Sequence, residues 1–112
     1  MVAPFDEGVA RLVPVMPSFV GGYDSLITFM EDHLQYPEWE KQNRVEGIVV
    51  AAFVIDAEGN VTQPKIVKSI PNAKNVDAEV IRVVNLMPKW TPGSDMGKNV
   101  PVEFTLPVRF KI

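Results

Sequence analysis

The final stretch of the chain constrains the fold more than any other. Val100, Val102, Phe104, Leu106, Val108, Phe110 and Ile112 alternate without a miss against Pro101, Glu103, Thr105, Pro107, Arg109 and Lys111. A period of two with one apolar set is the pattern of a strand that buries a single face, so the chain must build a sheet whose last strand rests on a core. Pro101 and Pro107 add a direction. Alternate residues of a strand turn their N–H and C=O groups to opposite neighbours, and these two prolines share a parity. Both missing donors therefore aim at one side, and because an interior ladder tolerates such gaps poorly, that side reads as an open edge.

Two further strands form a hairpin. Val45 to Asp56 is rich in β-branched residues, and from Ile48 to Ile55 it is apolar on both parities, as expected of a central strand covered on both faces. Asp56-Ala57-Glu58-Gly59-Asn60 supplies a turn, with Gly59 available for positive φ, and Val61 to Ile70 returns. Pro64 consigns that second arm to the other edge. Between these stretches the spacing turns helical. Tyr23, Leu26, Ile27, Met30 and Leu34 predict a helix over about 23–34, and Pro37 can open a short second helix through about Gln42. Val76, Val80, Val83, Val84 and Met87 predict a third over about 76–87, stopped by Pro88.

The sum is an α+β fold. A three-stranded antiparallel sheet in the order second, first, third carries two main helices and one short helix on one face. Residues 1–22, with Pro4, Pro14, Pro17 and Gly21-Gly22, read as an extended segment packing on a domain at 23–112. The apolar stretch from Val9 to Met16 is a candidate cover for the far face of the sheet, and a second copy of the chain is the alternative.

Composition excludes several functions. With 11 basic against 14 acidic residues in 112, the net charge of −3 and the absence of any basic run remove the electrostatic footprint that nucleic acid requires. The apolar run Ile48 to Ile55 falls well short of the roughly 20 residues that cross a bilayer. Zero cysteines rule out disulfides and thiolate chemistry. The single histidine, His33, sits beside Glu31 and Asp32 on a helix, where sequence neighbours do not face one another. No nucleophile elbow, phosphate loop or zinc signature occurs, so neither an enzyme nor a cofactor nor a metal is expected. Trp39 and Trp90 read as core or core-rim residues.

The open edge supports two readings. Prolines and charges protect an exposed strand against aggregation; equally, the window between them is a rail on which an extended peptide adds a strand. On pattern alone protection is the plainer reading.

The run Leu34-Gln35-Tyr36-Pro37, then Val45-Glu46-Gly47, Asp56-Ala57-Glu58-Gly59-Asn60-Val61, Met87-Pro88-Lys89-Trp90-Thr91-Pro92-Gly93 and Val108-Arg109-Phe110-Lys111-Ile112, resembles the C-terminal domain of TonB. Upstream, Met16-Pro17-Ser18-Phe19-Val20-Gly21-Gly22 is similar to the extended form in Bacteroidetes homologues, although Val20 stands where those commonly have proline. The resemblance implies a TonB/TolA-like fold and a non-enzymatic energy transducer in the periplasm, tethered to the inner membrane by a region absent from this sequence. Implied partners are the TonB box and plug of TonB-dependent outer-membrane transporters for nutrient uptake, with ExbB and ExbD engaged through the missing N-terminal region. The box would add to the last strand at Val102, Glu103, Phe104, Thr105, Leu106, Val108 and Arg109, near Gln35, Tyr36 and Pro37. This turns the balance toward docking. The alternative function is the periplasmic tail of a membrane sensor or peptidase, or a TolA-like envelope scaffold, and self-association into a homodimer is a further expectation.

Overall fold

The computed structural model describes the backbone of residues 2–4 and the whole of residues 14–112. In chain order the elements are β1 (Val2–Pro4), α1 (Tyr23–His33), α2 (Glu38–Gln42), β2 (Gly47–Ile55), β3 (Val61–Lys68), α3 (Val76–Asn85), β4 (Gly93–Asp95), β5 (Lys98–Val100) and β6 (Val102–Phe110). The hairpin arm β3 and the last long strand β6 flank β2, all antiparallel, in the order the alternation patterns require. The β2/β6 register runs unbroken from Gly47 opposite Phe110 to Ile55 opposite Val102. Pro64 lies in the outer strand β3, where Gln63 takes a positive φ of 52° and the register slips, the local kink of a bulge. One strand is new. β1 joins the outer side of β6, placing Val2 opposite Phe110, Ala3 opposite Arg109 and Pro4 opposite Val108.

The core lies between the sheet and the helices. Val49, Ala51, Phe53 and Ile55 of β2 and Val102, Phe104, Leu106, Val108 and Phe110 of β6 are buried, and Leu26, Met30, Val76, Val80, Val83 and Val84 meet them from α1 and α3. Trp90 anchors one end at 4% exposure. Its ring contacts Phe19 at 5.5 Å, Phe53 at 5.7 Å and Phe104 at 5.0 Å, all at steep angles. Edge-to-face contacts of this kind add about 0.5–1.5 kcal/mol each beyond the area they bury. Trp39 is only half-buried, with the Lys74 ammonium 4.4 Å above its ring.

The lead-in segment reaches the same end of the core. Val15 exchanges backbone bonds with Ser94, Ser18 does so with Thr91, and Phe19 then drops into the core beside Trp90. Pro14 to Met16 thus lies at the β4 end of the molecule, with Val15 paired to β4 instead of to the sheet. Val9 to Val13 falls outside the described residues. The far face of the sheet carries Ile48, Val50 and Val54, bordered by Lys65, Glu103, Thr105 and Arg109.

The reading of Val100 to Ile112 as one strand needs correction. Lys98–Val100 pairs with Gly93–Asp95 in a small separate hairpin, and Pro101 stands between it and β6. The turn explains the break: Met96 and Gly97 adopt φ of 50° and 78°, the paired left-handed conformations of a tight type I′ hairpin, which folds the strand start back locally. Pro101, lacking an N–H, interrupts the ladder at the junction.

Candidate functional site

The outer edge of β6 is the first part of the candidate site. Pro107 lies opposite Val50 of β2 and has no N–H to give it, so the alternation turns the odd residues of β6 outward and the even ones toward β2. Among the described residues no strand pairs with the outer side of Val102 to Pro107, while Val108 to Phe110 is taken by β1. The side chains divide accordingly. Val102, Phe104, Leu106 and Val108 are buried in the core; Glu103 and Thr105 are half-buried and Arg109 exposed on the far face.

Gln35, Tyr36 and Pro37 form the second part. They connect α1 to α2 and line an open cleft of about 430 Å³ whose other wall is Ala78, Glu79 and Arg82 of α3. The Tyr36 ring stands edge-on to Phe110, centroids 5.4 Å apart, and its hydroxyl donates to the Val45 carbonyl. Burial, with Glu46 and Glu40 nearby, raises the Tyr36 pKa, so the phenol remains a donor. Tyr36 thereby joins the cleft to the end of β6.

Two carboxylates fix this segment to α3. Glu79 accepts the Gln35 backbone N–H at 2.7 Å and grips Arg82 through both oxygens, Nε at 2.8 Å and Nη2 at 2.7 Å. The same Nη2 donates to the His33 carbonyl at 2.9 Å, tying down the last turn of α1. Burial works against ionised Glu79, but the Arg82 and Gln35 hydrogen bonds outweigh it and hold its pKa low. Glu40 does more. It is 0% exposed, projects from α2, and accepts the backbone N–H groups of Lys74 at 2.5 Å and Asn75 at 2.6 Å together with the Asn75 amide at 3.1 Å. Asn75 caps α3 without a side-chain bond to its own helix, and the carboxylate of a different helix accepts the N–H groups of this cap residue and of Lys74 before it, close to the positive end of α3. Against the cost of burial these three bonds lower the Glu40 pKa.

Neither carboxylate stands out in the sequence as a functional residue. Glu79 and Arg82 carry a signal, an acid and a base three apart on one helix face. Glu40 carries none, because a glutamate on a short helix reads as solvated surface. His33 is exposed, stacked on Phe29 at 4.1 Å, with Nδ1 2.9 Å from the Phe29 carbonyl. Among the described residues no group of three acids or histidines is arranged to hold a metal ion, and no helix is long and apolar enough to cross a membrane. What the arrangement offers is a partly open strand edge beside a polar cleft.

Residues 32–112 match the family described as Gram-negative bacterial TonB protein C-terminal. Among solved structures, the chain is similar to the NMR solution structure of the Helicobacter pylori TonB C-terminal domain (residues 194–285), with a TM-score of 0.52 and 22% identity over 79% of this chain and 90% of that one. No curated protein matches.

Proposed function

The chain belongs to the TonB C-terminal family, and from that premise we propose that it takes up the TonB box of an outer-membrane transporter as an added strand on the outer edge of β6. The domains of this family are periplasmic, non-catalytic and act on outer-membrane transporters. In the finer reading, this chain passes force from an ExbB and ExbD complex of the inner membrane to the transporter plug. One observation carries the proposal. Glu103 and Thr105 turn their backbone groups outward, next to Pro107, on a stretch where no described strand pairs. Backbone bonds along such an edge supply affinity with little demand on sequence, which suits a domain serving several transporters. Gln35 and Pro37 line the cleft tied to β6 through Tyr36, and in this reading they meet the partner beyond its box.

The test is an NMR titration of the labelled chain with an extended peptide carrying a TonB-box-like sequence. Shifts centred on the amides of Glu103 and Thr105, extending to Gln35, are the expected result. No shifts at millimolar peptide would overturn the reading in favour of a scaffold or sensor tail.

A further inference from the structure

The edge assigned to the transporter peptide is not empty along its whole length. Val2–Pro4 runs antiparallel along Val108–Phe110, beside α1. Because the odd residues of β6 face outward, Ala3 opposite Arg109 is the pair that exchanges N–H and C=O bonds, and Pro4, opposite the inward-turned Val108, needs no donor there. A strand with proline at such a position fits the edge, yet over its three described residues the ladder has a single exchanged pair. Its attachment is local, and it remains tethered near its site by the intervening chain, which gives it a high effective concentration without strong bonds.

We propose that the outer edge of β6 at Val108–Phe110 is a strand-accepting surface whose resident occupant is the chain's own segment Val2–Pro4, and that an incoming strand competes with this segment for the edge. The inference deepens the strand-addition reading above and rests on it for the identity of the natural competitor. A peptide long enough to pair from Glu103 to Arg109 must displace Val2–Pro4, and its apparent affinity falls by the fraction of chains whose edge is occupied. A peptide confined to Glu103–Pro107 meets no such competition from β1.

The experiment uses the full chain, its Ala3→Pro variant, which removes the donated N–H, and Ala3→Val, which keeps it. Amide hydrogen exchange is read at Arg109, with the inward-turned Val108 amide as the report on an intact sheet. The expected result is exchange at Arg109 accelerated about tenfold or more in Ala3→Pro, with Val108 unchanged and Ala3→Val like the parent. A synthetic peptide of residues 1–9 is then titrated into each chain. It binds Ala3→Pro about threefold or more tighter than the parent if the edge is normally occupied. Unaltered Arg109 exchange in Ala3→Pro, or equal peptide affinity for both chains, overturns the proposal; protection of Arg109 that grows with protein concentration overturns it in favour of a strand donated by a second copy. A parallel titration with the TonB-box-like peptide separates the two readings. Failure of that peptide on all three chains, with residues 1–9 behaving as expected, removes the transporter reading and leaves the resident strand standing.

Discussion

Lys65 and Glu103 meet across a strand to which neither belongs. The Lys65 ammonium lies 3.5 Å from the Glu103 carboxylate, although β2 separates β3 from β6. Lys65 stands opposite Ala52, and Glu103 opposite Val54, the next residue of β2 on the same face. A short side chain at Ala52 leaves room for the two long ones to reach over it, and Ala52 is 2% exposed on a face that carries none of the described helices. Aliphatic stems of charged residues thus cover part of the apolar strip on the far face.

The pair itself contributes little to stability. With side chains 63% and 42% exposed, it is screened by water, and a double-mutant cycle of Lys65→Met and Glu103→Gln should give a coupling of about 0.5 kcal/mol or less that fades with salt. Ala52→Leu, which lifts the bridging side chains apart, should cost more than breaking the pair. Urea denaturation of the variants measures both.

Glu40→Ala should destabilise the fold by about 3 kcal/mol in the same measurement, because it empties a buried site and takes the acceptor away from the part-buried N–H groups of Lys74 and Asn75. Glu40→Gln keeps the shape but loses the charge at the α3 N-terminus, and should cost about 1–2 kcal/mol.

The same residue sets an acid limit. Its folded pKa lies below the ordinary 4.5, so the unfolded chain binds the proton more readily; the stabilisation is complete above that ordinary value and drains away as pH falls through the folded pKa. Glu79 and Asp56, also lowered, act in the same direction. Unfolding midpoints followed from neutral pH downward should therefore drop in the acid range, and Glu40→Gln should flatten that drop.

Gly59→Ala should destabilise by about 2–4 kcal/mol. Gly59 has φ of 89°, and a Cβ there would lie 2.0 Å from the Trp90 carbonyl oxygen, while the Trp90 N–H donates to the Gly59 carbonyl at 2.8 Å. The hairpin tip and the aromatic end of the core would be forced apart, visible as a changed tryptophan emission.

Proline substitution along β6 separates edge from core. Glu103→Pro and Thr105→Pro should preserve the fold by circular dichroism and abolish binding of the box peptide, whereas Phe104→Pro and Leu106→Pro remove both a core side chain and a bond to β2 and should unfold the domain. Equal unfolding by all four would refute the outward direction of the odd residues.

Hydrophobic period made most of this architecture legible in advance. The alternation from Val102 to Phe110, the core-facing parity of Ile48 to Ile55 and the helical spacing at Leu26, Met30, Val80 and Val83 each describe burial, and burial arranges the layers. The other parity of β2 is not covered as a strand apolar on both sides predicts, since Ile48 is exposed and Val50 and Val54 are half-buried. What escaped depends on other physics. The β4/β5 hairpin rests on a left-handed Met96, a conformation that residue rarely adopts, and β1 is too short to carry a period. Glu40 was invisible because its partners, Lys74 and Asn75, approach only once α2 and α3 have packed. At the edge, the prolines gave a direction; they could not show that part of it would be filled from within the chain.

The unbroken β2/β6 register also has a mechanical meaning. Tension drawn lengthwise along β6 acts on every rung from Gly47–Phe110 to Ile55–Val102 together, in shear, so that none can part before its neighbours share the strain. The C-terminal end is further moored where the Ile112 N–H donates to Glu46 at 2.7 Å. β1, with three residues in its ladder, has no comparable reserve. Under a rising pull the two sides of β6 would therefore fail in a fixed sequence, the short strand slipping first and the long seam holding, a mechanical fuse set beside a cable.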